Sequence, residues 1–211
     1  MIEPLVEVVD RVLAVVAGLD PVVLALAVMA FTALETTALI GTVVPGDVAV
    51  LLAGSTVDSP GRFALVAAAA TTGTCLGDLG GYAIGRLVGP RVRVSRFGRM
   101  IGERRWRVAE AYLAGRGAPV LVPVRFVAVA HAVTPIVCGT VRMPLRKFAL
   151  FASLGAVSWA CVYTAVGAAA GAAYREYREL GLLTTIGIVG VALVVVLIRR
   201  LRRRRSAGHA G

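Results

Sequence analysis

From Pro21 to Gly54 the chain runs for 34 residues with only two charged side chains, Glu35 and Asp47, and no lysine or arginine occurs from Val12 to Gly61. A straight helix of that length would extend about 50 Å, against a bilayer hydrocarbon core of about 30 Å. The run therefore cannot be one perpendicular span. Pro45-Gly46 supplies a break, because proline lacks the N–H that continues a helix and its ring clashes with the preceding turn. The predicted form is a broken, re-entrant hairpin over about 21–54 with its tip near Pro45. Such backbone survives at membrane depth only where protein covers it or where it lines a wet cavity.

The rest of the chain supports a membrane setting. It is 58% hydrophobic with a mean hydropathy of +0.81, outside the range of soluble globular domains. Apolar helices are predicted over about 62–89 and 146–173, and a C-terminal transmembrane helix over 182–198. The stretch "APVLVPVRFVAVAHAVTPIVCG", 118–139, carries Pro119, Pro123 and Pro135 and reads as a second broken hairpin. Residues 1–19 form an amphipathic segment with Glu3, Glu7, Asp10 and Arg11, acidic where a cleaved signal peptide would be basic. The arginine-rich stretch 90–117 also holds Phe97, Met100, Ile101 and Trp106, which favours a helix lying on the membrane surface. Trp159 reads as an interfacial anchor or a packing residue.

A net charge of +11 invites a nucleic-acid reading, but the basic residues sit at the ends of apolar segments. The positive-inside rule accounts for that placement, and no nucleic-acid partner is expected. It puts 90–117, the turn 142–147 and the basic tail 199–211 in the cytoplasm of a multi-pass cell-membrane protein. The loops 55–61 and 174–180 and the N-terminal segment then lie outside. Cys75, Cys138 and Cys161 have no metal-ligand spacing and read as small buried hydrophobes; no metal or cofactor is expected.

Offset by 85 residues, "AGSTVDSPGRFAL" (53–65) aligns with "CGTVRMPLRKFAL" (138–150), matching Gly54, Phe63, Ala64 and Leu65 to Gly139, Phe148, Ala149 and Leu150. The expected architecture is thus all-α: a polytopic membrane protein of two inverted repeats. Each repeat has a surface helix, a broken re-entrant hairpin and a transmembrane helix, and the C-terminal transmembrane helix follows. Inverted repeats place binding sites near the midplane, where broken helices meet. On this offset Asp47 and His131 fall within one position of each other.

Glu35, Asp47, Asp78 and Arg125 lie inside apolar segments, together with His131. Each unpaired charge at the bilayer centre costs about 2.5–3.5 kcal/mol, so these groups must be paired, protonated or hydrated. One reading is a structural ion pair that locks two hairpins together. The other is a polar chamber that binds an anionic head group and moves protons. Asp78 sits in "GTCLGDLGGYAIGRLVG", where Gly73, Gly77, Gly81, Gly85 and Gly89 recur every fourth residue. That stripe permits close helix packing, with Asp78 capping or hydrogen-bonding across it. Arg86 is expected to snorkel toward the cytoplasmic interface.

The chain resembles the DedA family of bacterial membrane proteins over roughly residues 20–175, as a membrane core. The resemblance lies in "LETTALIGTVVPGD", in "GDLGGYAIGRLVG", and in "VRFVAVAHAVTPIVCGTVRMPLRKFALFASLGAVSW". It implies that Glu35 and Asp47 match two essential, proton-coupling acids and that Arg125 matches the first essential arginine. His131 stands where the second arginine is expected, and Val124 replaces the usual preceding glycine. Histidine titrates near neutral pH where arginine does not, so the change bears directly on head-group binding. The resemblance implies a proton-motive-force-dependent lipid transporter that moves undecaprenyl phosphate or another anionic lipid for envelope homeostasis. Arg125 and His131 would bind the substrate, with Asp78 and Arg86 as accessories. The expected partners are phosphate-bearing membrane lipids and protons, and an oligomer is compatible with the sequence. The alternatives are a membrane scaffold, a small-ion transporter and an intramembrane lipid phosphatase. The chain has no clustered aspartates or phosphatase signature for the last, and no enzymatic activity is expected.

Overall fold

The computed structural model describes residues 3–37, 46–94, 103, 111, 117–127 and 130–176. All regular structure among them is helical. The elements are α1 (Glu3–Ala17), α2 (Pro21–Thr37), α3 (Gly46–Ser55) and α4 (Pro60–Val94). A 3-10 turn (Ala118–Val120) then leads into the short α5 (Leu121–Val124), followed by α6 (Ala130–Thr140) and α7 (Leu145–Glu176).

Local chemistry sets the helix starts. The Asp20 carboxylate accepts the N–H groups of Val22 and Val23 at 2.8 and 3.4 Å, with Pro21 pre-set for the first turn of α2. Ser59 Oγ accepts the Arg62 N–H at 3.4 Å ahead of α4, again with a proline, Pro60, in the first position. Between Ala17 and Pro21 the chain bends by 111°, so α1 lies across the direction of α2. Hydrogen bonds hold it there: Tyr174 donates to Asp10 at 2.6 Å and Arg62 to the Ala17 carbonyl at 3.4 Å.

Among the described residues, two helical stretches are long and apolar enough to cross a membrane, Pro60–Gly89 within α4 and the whole of α7. The bent pair Asp10–Ala17 and Pro21–Thr36 makes a third candidate. Leu26, Phe31, Leu34, Leu76, Leu79 and Leu154 are exposed on the outside of the bundle, as suits lipid solvent rather than water. The expected spans 62–89 and 146–173 fall inside longer helices. α4 does not stop at Gly89. It passes Pro90 and continues to Val94. Likewise α7 absorbs Tyr174, Arg175 and Glu176 from the expected outer loop. The run 21–54 is indeed divided into two helices, and 118–139 into shorter pieces with Pro135 inside α6. The expected hairpin tip, most of the expected basic surface helix beyond Val94, the expected helix 182–198 and the tail lie outside the described residues.

Glycine contacts decide how the pieces pack. Gly54, near the end of α3, meets Thr164 and Gly167 on α7; an added Cβ would lie 2.8 Å from the Thr164 carbonyl oxygen. Gly139, near the end of α6, sits against the Tyr82 carbonyl and the Arg86 nitrogen on α4 with no room for a Cβ. Gly54 and Gly139 are 85 residues apart, as are Tyr82 and Gly167. One contact therefore maps onto the other at the offset that aligns the two halves. The α4 stripe serves two neighbours, with Gly73 and Gly77 facing α2 and Gly81, Gly85 and Gly89 facing α6. Cys138 is buried as expected and Cys75 partly so, but Cys161 is exposed on the outward, apolar face of α7.

The turn from α6 into α7 has a helix-ending geometry that usually employs glycine. The Met143 N–H donates to the Cys138 carbonyl and the Arg142 N–H to the Gly139 carbonyl, both at 3.0 Å. Arg142 occupies the left-handed position with φ 55°, which for a residue with a Cβ costs about 1–2 kcal/mol. Met143 and Cys138 are both buried beneath it, and Tyr82, stacked on Phe148 at 4.7 Å, donates to the Met143 carbonyl.

Gly139→Ala must push α6 off α4 and is expected to lower stability by about 1–3 kcal/mol in detergent-solubilised thermal melts. Gly61→Ala, at a position with nothing within 4 Å, should be neutral or stabilising by up to about 1 kcal/mol in the same assay.

Candidate functional site

The interior gathers most of the ionisable groups of the apolar segments around Arg125. α5 ends at Val124, so Arg125 projects from the first non-helical position after it. That turn lies close on α7 because residue 155 is glycine, whose added Cβ would come within 3.2 Å of the Leu121 carbonyl oxygen. The guanidinium then reaches α4. One terminal nitrogen donates to both carboxylate oxygens of Asp78, at 3.0 and 3.2 Å, and the other donates to Thr74 Oγ1 at 3.1 Å. Thr74 and Asp78 are one helical turn apart, so both present the same face of α4. From α7, Trp159 lays its ring 5.3 Å from the guanidinium carbon, a cation–π distance. Arg125 and Asp78 are 7% and 4% exposed, which makes this a desolvated ion pair.

Glu35 comes from α2 and is buried, and its carboxylate accepts the backbone N–H groups of Gly46 and Asp47. These are the first amides of α3, unsatisfied by the helix itself. A carboxylate on the positive end of a helix is also favoured electrostatically. Glu35 therefore caps the second limb of the broken run from inside the protein. Gly46 has no space for a Cβ because that carboxylate fills it.

Asp47, Glu35, Asp78 and His131 all lie within electrostatic reach of Arg125. Among the described residues, Asp78 is the carboxylate hydrogen-bonded to the guanidinium, and Glu35 and Asp47 act on it at longer range. Tyr163 lies within electrostatic reach of Asp47 and Glu35, with its ring 4.9 Å from the Trp159 indole. His131, on α6, lines a small cavity of ≈ 20 Å³ together with Asp78, Arg125, Thr134 and Pro135. That is room for about one water. Its Nδ1 is buried and has no hydrogen-bond partner among the described residues.

The sequence-predicted residues thus converge except for Arg86, which is exposed about 12 Å farther along α4 by helical rise. Asp78 is the direct partner of Arg125, closer to it than the reading of a packing-stripe cap implied. Thr74, Trp159 and Tyr163 were not among the sequence candidates. Their signal lay in spacing, one turn before Asp78 and one turn apart on α7, but it becomes visible only once α5 is known to sit on Gly155.

The sequence matches the pattern of a VTT domain, the domain of the SNARE-associated/DedA superfamily, over residues 44–169. That stretch covers more than half of the chain and includes Asp47, Asp78, Arg125 and His131. No curated protein and no solved structure matches the chain.

Removing either member of the ion pair alone, by Arg125→Met or Asp78→Leu, strands a buried charge and is expected to cost about 3–5 kcal/mol. The double variant should recover most of that loss in equilibrium or thermal unfolding. Gly46→Ala should displace the Glu35 carboxylate from the start of α3 and cost about 1–3 kcal/mol in the same measurement.

Proposed function

Because the chain belongs to the VTT-domain family, we propose that it is a DedA-type transporter of phosphate-bearing lipids in the cytoplasmic membrane, driven by the proton-motive force. Undecaprenyl phosphate is the substrate that the family resemblance favours. We read the protein as a carrier rather than an enzyme, with no chemistry performed on the lipid.

One observation carries the reading: Arg125 is buried among three acids and already engaged by one of them. Arginine binds phosphate through paired donors and keeps its charge at any physiological pH. A lipid phosphate arriving at Arg125 competes with the Asp78 carboxylate for the same N–H groups. Once displaced, Asp78 faces an apolar interior and needs a proton. Phosphate entry and proton uptake are thereby linked at one cation. Proton exchange at Glu35 acts on a different part. A neutral carboxyl would hold the first amides of α3 less strongly, freeing that limb of the hairpin to shift. His131 adds an imidazole at the edge of the same cavity, where the family pattern carries a second arginine. The reciprocal Gly54–Gly167 and Gly139–Tyr82 contacts support an arrangement of two inverted repeats with this chamber between them. A proton moving through 100 mV contributes about 2.3 kcal/mol to such a cycle.

A second reading has an observation in its favour. Asp78 and Thr74 satisfy much of the guanidinium, as a purely structural lock would require.

The two readings separate in proteoliposomes carrying a labelled polyprenyl phosphate, with and without a pH gradient. Transport predicts gradient-dependent translocation that falls by about tenfold or more in Arg125→Lys, which keeps charge but loses the fork. A charge-swapped Arg125→Asp, Asp78→Arg protein should stay inactive. Restored cellular function in the swapped protein, with no lipid movement by the native one, would establish the lock.

A further inference from the structure

A second cluster of basic groups lies outside the chamber. Arg86 on α4 and Arg142 in the α6–α7 turn face a cleft of ≈ 440 Å³, whose other walls include Leu87, Pro144 and Leu145. Among the described residues, neither guanidinium has an ion-pair partner. The apolar walls open outward: Leu87 is 74% and Leu145 52% exposed. The cleft stands at the end of the α4 span, near Gly89, on the side that the positive-inside rule assigns to the cytoplasm.

The backbone adds a second, independent observation. Arg142 occupies a left-handed position that glycine would fill without strain, so the chain sustains strain there while keeping a cation at the cleft. The seat is also rigid. Tyr82 fastens the turn through the Met143 carbonyl, Thr140 donates to the Gly85 carbonyl at 3.3 Å, and Gly89 admits Thr140 at close range. The two arginines are thus held across one opening by contacts of their own backbone and of the neighbouring side chains.

We propose that this cleft is a binding site for the phosphate head group of an anionic lipid from the adjoining leaflet, with its acyl chain along Leu87 and Leu145. A free anion would gain from the two cations alone, whereas a lipid also buries chain against leucines that already face the bilayer. The site is separate from Arg125 and stands whether or not that residue carries a transported substrate.

The test uses the full chain in detergent micelles, titrated with dioctanoyl phosphatidic acid, dioctanoyl phosphatidylcholine or inorganic phosphate, with occupancy read by native mass spectrometry. Saturable binding of the phosphatidic acid is expected, with phosphatidylcholine and inorganic phosphate at least tenfold weaker. Arg142→Gly should weaken it at least tenfold while melting at or above the native temperature, since it removes the strain together with the cation. Arg86→Gln should weaken it similarly, and Arg125→Gln should leave it in place. Undiminished binding in both Arg142→Gly and Arg86→Gln would overturn the assignment. So would equal binding of phosphatidylcholine, equal binding of inorganic phosphate, or a loss confined to Arg125→Gln, which would move the lipid to the chamber.

Discussion

An arginine can reside in an apolar interior only if its donors and its charge are met there, and that requirement organises this protein around Arg125. The guanidinium needs a carboxylate from α4, a hydroxyl one turn away, and an aromatic face from α7. Meeting all three fixes how two long helices and a short broken segment sit together. The glycines follow from the same demand. Gly155 lets the α5 turn settle close enough for the arginine to reach, while the α4 stripe brings α2 and α6 alongside. Loss of one partner would leave the other charge stranded, so the interaction is cooperative in a way that the surrounding aliphatic contacts are not.

The same logic explains why broken helices are stable here. Interrupting a helix at membrane depth releases backbone amides that lipid cannot satisfy. Glu35 supplies acceptors for the first amides of α3, so the acid that appears anomalous in an apolar run completes its secondary structure. Asp78 plays the matching part for the arginine. The interior therefore has two places where a carboxylate fixes the position of another element.

Much of this was legible in the sequence because length and charge are strong constraints in a bilayer. The Pro21–Gly54 run was too long to be one span, and among the described residues it holds two separate helices, α2 and α3. The glycine spacing announced close packing, and charges in apolar segments marked Glu35, Asp47 and Arg125. Pairing was not legible. Asp78 and Arg125 are 47 residues apart, and their meeting depends on a turn resting on Gly155 of a third element. Trp159 read equally well as an interfacial anchor, since an indole suits both roles until its neighbours are known. Helix ends were misjudged where a proline, Pro90, proved tolerable within α4.

The crossed packing of the short helices has a consequence for how the protein is made. α3 has its main seat on α7, where Gly54 meets Gly167, more than a hundred residues later in the chain. α6 in turn rests on α4, from the first half. Neither half can close its interior alone. During synthesis α3 therefore lacks its main seat until α7 has been made. The decisive folding step thus comes late, and a chain that stalls before α7 leaves α3, with Asp47 in its first turn, without the helix that covers it.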